Sequence, residues 1–179
     1  MAEQKKKRGK RAYLDDFYLD LSGNYVYRGK MYRYTGALPR KTALIRAWAF
    51  AGVALAALVI NGFLPVPALN GCFYVVVPYV GGLIAGCSVV WALGRITAAG
   101  SELREYVYNE TAAQLPARCM LCTVFSAAAA AGQLLYLFLN KAGESVGLMV
   151  LFTALQIIAT VSAYKLKIFS LERFWSLRN

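Results

Sequence analysis

An all-α integral membrane protein is the fold class this sequence predicts: a bundle of four transmembrane helices, with a short β-hairpin-like segment before it and an interfacial amphipathic helix after it. Three observations lead there. Residues 47–94 form a run of 48 without a Lys, Arg, Asp, Glu or His, where about 20 apolar residues already cross a bilayer. Two further uncharged runs follow at 119–140 and 145–164, separated only by Lys141-Ala142-Gly143-Glu144. The composition agrees: 59% of residues are hydrophobic, 16% are charged and the mean hydropathy is +0.46, with the charges crowded into 1–46, 95–118 and 165–179. A chain of 179 residues has room for one bundle and short tails. It divides into a basic, tyrosine-rich flank at 1–42, a transmembrane domain at 43–164 and a tail at 165–179.

The flank opens with Lys5-Lys6-Lys7-Arg8-Gly9-Lys10-Arg11, followed by Ala12-Tyr13-Leu14-Asp15-Asp16, which is no signal-peptide hydrophobic region. The first span is therefore expected to act as an uncleaved signal anchor. Residues 17–21, 24–28 and 31–35 are short aromatic runs separated by Ser22-Gly23 and Gly29-Lys30. Turn-sized gaps containing Gly between β-favouring runs predict a meander of two or three strands. In it Tyr25, Tyr27, Tyr32 and Tyr34 alternate with Val26, Arg28 and Arg33, giving one largely tyrosine face. A hairpin this small is marginal in water, so it needs headgroups, helix ends or a partner to lie on.

The four spans are expected at about 44–63, 73–93, 119–139 and 146–164. Arg40, Lys41 and Arg46 stand at the entry to the first, with Trp48 just inside, and Leu64-Pro65-Val66-Pro67-Ala68-Leu69-Asn70-Gly71 turns the chain back. Tyr74, Tyr79 and Trp91 occupy positions in span two where an interfacial aromatic belt belongs. Pro78 falls in the first turns of that span, where its missing N–H costs little. In the 95–118 connection Leu103, Tyr106 and Val107 recur at helical spacing, which predicts a helical extension of span two ending before Pro116. In the tail Ile168, Leu171, Phe174 and Trp175 share one helical face, the pattern of an interfacial amphipathic helix. The halves also echo each other. Leu38-Pro39-Arg40-Lys41 resembles Leu115-Pro116-Ala117-Arg118, and Ser101-Glu-Leu-Arg-Glu-Tyr106 resembles Ser170-Leu-Glu-Arg-Phe-Trp175. A parallel internal repeat and chance in an Ala- and Leu-rich chain both account for this.

Basic residues resist translocation, so their distribution predicts orientation. Residues 1–46 hold twelve, the 95–118 connection three and the tail four, against Lys141 alone on the opposite side. Both termini are expected in the cytoplasm, with the spans in the cell membrane. The net charge of +11 then meets anionic lipid headgroups, worth about 1 kcal/mol per basic residue at the surface. Lys5, Lys6, Lys7, Arg8, Lys10, Arg11, Phe174 and Trp175 are the expected membrane-surface residues. Basic runs are common beside spans, so no nucleic-acid partner is expected.

Candidate chemistry is sparse. Cys119-Met-Leu-Cys122 has the spacing of a thiol–disulfide pair, but it lies at the expected cytoplasmic end of an apolar span, a reducing environment. Cys72 lies a bilayer away. The pair is expected to serve as small apolar side chains. The chain has no His, and a zinc site wants four ligands, so neither a metal nor another cofactor is expected. Coupled transport usually leaves ionisable groups inside spans, and here the intramembrane polar residues are neutral: Asn61, Ser88, Thr123, Ser126, Gln133, Thr153, Gln156 and Thr160. Of these, Gln133 and Gln156 are the candidates for a polar pathway.

Small residues are the positive signal. Gly82-Leu-Ile-Ala-Gly86 is a GxxxG, Gly52 and Ala56 repeat the spacing in span one, and Ala128 and Gly132 lie in the small-residue stretch of span three. Such faces let backbones approach closely, the main source of packing energy where lipid removes the hydrophobic drive. Val89 is expected to face lipid. These features predict a non-enzymatic accessory, scaffold or regulatory membrane protein that contacts lipid, a protein partner or a second copy of itself. A small oligomeric transporter or channel subunit is the alternative, and a membrane thiol oxidoreductase a distant one.

Overall fold

The computed structural model describes residues 17–19, 24–27, 29–139, 146–169 and 171–177. Three short strands come first: β1 (Phe17–Leu19), β2 (Tyr25–Tyr27) and β3 (Met31–Tyr34). The long helices are α1 (Arg40–Phe63), α3 (Phe73–Ala98), α5 (Leu115–Leu139) and α6 (Val146–Phe169), and all four are long and apolar enough to cross a membrane. A one-turn helix α2 (Pro67–Gly71) sits between α1 and α3. A strand β4 (Glu102–Arg104) and a short helix α4 (Glu105–Glu110) connect α3 to α5. A 3-10 turn over Leu171–Phe174 leads from α6 into β5 (Trp175–Leu177).

The helices meet the expected spans at Phe63, Phe73, Leu139 and Val146 but run four or five residues further at their other ends, to Arg40, Ala98, Leu115 and Phe169. Hydropathy marks where the apolar layer stops, whereas a helix stops only where its backbone is diverted. Pro65 diverts α1, because the residue before a proline is held out of the helical region; Leu64 is extended at φ −76°, ψ 126°. Pro67 then starts α2 at the position proline tolerates best. At the other end of α3, Gly100 adopts φ 78°, a left-handed conformation that glycine takes without steric cost, and the chain turns into β4.

Each long helix packs against two others, α1 and α5 each lying between α3 and α6. Exchanging the α1–α3 hairpin with the α5–α6 hairpin therefore maps neighbours onto neighbours. The packing stripe of α1 is almost entirely alanine, with Ala43, Ala47, Ala51, Ala54 and Ala57 buried beside Leu44, Leu58 and Asn61. The outward surface is the reverse: Ile45, Phe63, Phe73, Val77, Ile84 and Phe138 are all exposed.

Three departures from the sequence reading lie at the basic end. Among the described residues β3 does not continue the β1–β2 hairpin; β1 and β2 form a two-stranded antiparallel sheet, and β3 is the centre of a second sheet ordered β4-β3-β5. The 95–118 connection is not a helical extension of α3, since Met31, Tyr32 and Arg33 pair with Arg104, Leu103 and Glu102. The tail is not an interfacial amphipathic helix either. Tyr32, Arg33 and Tyr34 pair with Leu177, Ser176 and Trp175, and Trp175 is only 6% exposed. Helical spacing over so few residues is a weak force beside the backbone hydrogen bonds that β3 offers on both edges. β4 and β5 both run antiparallel to β3, hence parallel to each other. The sheet, α4 and the 3-10 turn close this end of the bundle over Leu93, Ile96, Leu103, Val107, Leu115 and Leu166.

Candidate functional site

Two features other than packing draw buried or clustered polar groups together: a polar layer inside the bundle, and the cap just described. The polar layer lies in the half of the bundle nearer α2. Asn61, Ser126, Gln133 and Gln156 are all at 0% exposure, with Thr153 close behind. Asn61 Nδ2 donates to the Phe152 carbonyl of α6 at 3.3 Å. Tyr79 Oη donates to the Leu58 carbonyl of α1 at 3.0 Å, and its ring lies 6.0 Å from that of Phe152. These contacts put Asn61, Tyr79 and Phe152 at one level. Gln156 follows one turn along α6, about 6 Å deeper, while Gln133 lies two turns, about 10 Å, from Ser126 on the same face of α5.

The polar atoms of this layer are mostly unpaired. Asn61 Oδ1, Ser126 Oγ and both amide atoms of Gln133 and of Gln156 have no hydrogen-bond partner among the described residues. A buried amide or hydroxyl without a partner costs a few kcal/mol, so six such atoms in this part of the bundle call for a compensating reason. Chemically, the layer can hydrogen-bond water or a small polar solute; it has no charge with which to hold an ion.

Close backbone approach surrounds the layer. Pro78 has no N–H to give the Tyr74 carbonyl, and a Cβ at Gly132 on α5 would stand only 2.7 Å from that same oxygen. Proline frees the acceptor and glycine lets the neighbouring helix reach it. A Cβ at Gly82 would meet Ser126 Oγ at 3.2 Å and its backbone N at 3.6 Å, and one at Gly86 would meet Leu58 at 3.2 Å. Gly52 has open space around it, and Gly52, Ala56 and Ala128 lie on the outer surface, so within this chain they touch no other span closely. Val89, expected outside, is buried at 4%: it stands three residues from Gly86 and seven from Gly82, on their face.

Cys119 and Cys122 are also buried. With Ala51, Ala54, Gly86, Val89, Ala163 and Leu166 they surround a space of about 10 Å³ on the bundle axis, the lower limit for a single water. Cys122 Sγ faces the Gly82 carbonyl at 3.8 Å. Apart from the two thiols the lining is apolar. Among the described residues no group of three or more His, Cys, Asp or Glu is placed to hold a metal.

In the cap, aromatic rings join the segments that the backbone pairs. Tyr32 stacks on Tyr108 with centroids 4.0 Å apart and planes at 7°. Tyr34 meets Trp175 and Phe174 edge-on at 5.5 and 6.0 Å, and its hydroxyl donates to the Leu38 carbonyl at 2.7 Å. Partial burial pushes the Tyr34 hydroxyl above the usual phenol range, with Arg40 pulling the other way. Arg40 itself donates to the Ile96 and Thr97 carbonyls, a cation at the C-terminal end of α3 where the helix dipole favours it. Trp91 lies between Arg95 and Arg118, 5.1 and 5.2 Å from its ring, and Arg95 pairs with Glu110 at 2.8 Å. Beside β4 a cleft of about 260 Å³ opens among Ala99, Glu102, Arg104, Tyr106 and Val107.

Of the residues singled out from sequence, Gln133 and Gln156 are both fully buried inside the bundle, on α5 and α6, and Gly82, Gly86 and Gly132 stand at close helix contacts. Trp175, expected at a membrane surface, is buried in the cap, and Phe174 packs half-buried on Tyr34 and Phe169. Lys5, Lys6, Lys7, Arg8, Lys10 and Arg11 lie outside the described residues. Tyr79 was missed. It reads as part of an aromatic belt, yet its position three residues before Gly82 puts it on the packing face. The chain matches no protein-family model, and no curated protein or solved structure is significantly similar to it.

Proposed function

We propose that this is a multi-pass protein of the cytoplasmic membrane, with both termini in the cytoplasm, acting as a non-enzymatic accessory, scaffold or regulatory component. Insertion is supported by the outer surface of the four helices, where Phe63, Phe73, Ile84 and Phe138 are each at least 65% exposed. In water such a surface drives association; against acyl chains it is at home. Orientation is supported by the nineteen basic residues on the capped side against Lys141 on the other.

The cap carries the functional reading. Residues 31–34, 102–104 and 175–177, far apart in sequence, build one folded surface outside the apolar spans. Anchoring alone needs no such device. The cap is continuous with the basic flank and exposes Arg33, Arg104 and the β4 cleft, a surface suited to a protein partner or to anionic headgroups. The unpaired amides of Gln133 and Gln156 favour a second reading, a small transporter or channel subunit whose pathway is completed by oligomerisation.

Crosslinking in membranes followed by native purification separates the two. The accessory role predicts a different protein at fixed stoichiometry that is lost when Tyr27 and Arg104 are both replaced by Ala. A homo-oligomer that passes a polar solute across vesicles, and ceases to on Gln156→Leu, contradicts that role and establishes the second.

A further inference from the structure

On the outer face of the bundle, near the capped end, α1 and α6 leave a groove of about 430 Å³ lined by Arg46, Phe50, Lys165, Ile168 and Phe169. Arg46 and Phe50 are one turn apart on α1, and Lys165, Ile168 and Phe169 share a face of α6. The groove thus has a cationic part contributed by both helices and an apolar floor. Arg46 and Lys165 are exposed, and among the described residues neither has a hydrogen bond, an ion pair or a ring contact. Four cations of the neighbouring helix ends are engaged: Arg40 on the α3 carbonyls, Arg95 on Glu110, Arg118 on α3 and α4 carbonyls, and Lys167 over Tyr164 on a different face of α6.

Resting on the membrane placement proposed above, we infer that this groove is a binding site for one anionic phospholipid, its phosphate held between Arg46 and Lys165 and an acyl chain laid over Phe50, Ile168 and Phe169. Two unpaired cations on a lipid-facing surface are costly unless they reach a counter-charge, and at this level the available counter-charge is the headgroup phosphate. Arginine offers it a planar fork and lysine a compact charge. The charge complementarity is one-sided, because neither α1 nor α6 contains an Asp or Glu to compete for these side chains. Zwitterionic lipid carries its own ammonium and gains less.

The full-length protein in detergent, titrated with phosphatidylglycerol or phosphatidylcholine and read by native mass spectrometry, tests this. The parent should retain one phosphatidylglycerol in preference to phosphatidylcholine. Arg46→Gln with Lys165→Gln should weaken that retention on the order of thirtyfold, two basic contacts' worth. Lys167→Gln, on the same helix at the same level, should leave it unchanged. The exchanged pair Arg46→Lys with Lys165→Arg should bind like the parent, which excludes a folding defect as the cause of the loss. Equal retention of the two lipids, or a double Gln variant that matches the parent, overturns the site. Sedimentation with carbonate-washed membranes reads the underlying placement separately: protein released by carbonate contradicts membrane insertion itself, whereas retained protein with no lipid preference contradicts only the groove.

Discussion

At the scale of single residues, the informative side chains are the polar ones that the bundle buries. Gln156 and Gln133 are legible in sequence, because any amide in an uncharged apolar run is conspicuous. Which of the other neutral polar residues turn inward is not. Asn61 and Ser126 join the layer through helix rotation, which no local pattern encodes, and Tyr79 is disguised by a position that also suits an interfacial belt. The energetics favour a test on Gln156. Replacing an unpaired buried amide by an apolar side chain of similar length removes a desolvation cost of about 1–3 kcal/mol. Gln156→Leu should therefore raise the melting temperature in detergent or leave it unchanged. A marked fall would mean that the amide has a partner essential to the fold.

At the scale of elements, two kinds of interaction hold the molecule, and they respond to different changes. Between the long helices, in the membrane placement proposed above, lipid as solvent gives no hydrophobic drive, so close packing decides. Gly82 and Gly86 approach α5 and α1 where a Cβ would already be tight. Gly82→Leu or Gly86→Leu should lower stability by about 1–3 kcal/mol through overpacking, seen as a lower melting temperature or a disrupted assembly. Ile84→Val, on the outer surface at 65% exposure, is the proper control and should do neither. If the glycine variants melt with the parent, the GxxxG has no packing role.

The cap depends instead on hydrophobic burial against water and on sheet hydrogen bonds. Trp175→Ala removes its largest buried ring and should cost about 3–5 kcal/mol. Protease added from the capped side should then cleave near residue 170 while the four helices remain intact. Cleavage no faster than in the parent would contradict the docking of β5. The spans were readable in sequence because each is a long run with one property. β4 and β5 were not, since three-residue strands are fixed by the partner β3 and not by their own periodicity.

At the scale of the whole molecule, the sequence predicts the bundle but not its closed end. Four apolar runs with short turns leave few arrangements, and antiparallel neighbours around a ring is the simplest. The cap instead joins β3 to β4 about 70 positions away and to β5 about 140 positions away, contacts that neither composition nor spacing marks. It also makes the molecule asymmetric along its axis. One end is basic, folded and closed by a sheet; the other carries the α2 turn and the polar layer.

That asymmetry is the central claim, and thiol labelling measures it most directly. Cys72 adjoins the α2 turn and is partly accessible, whereas Ser101 is exposed beside the cap. Two proteins suffice: one retaining Cys72 alone, the other carrying Ser101→Cys as its single thiol. An impermeant maleimide added to intact cells should modify Cys72 without permeabilisation and should reach the thiol at position 101 only after it. Labelling of position 101 from outside, with Cys72 protected until permeabilisation, would contradict the orientation. Labelling of both in intact cells would contradict a bundle that crosses the membrane.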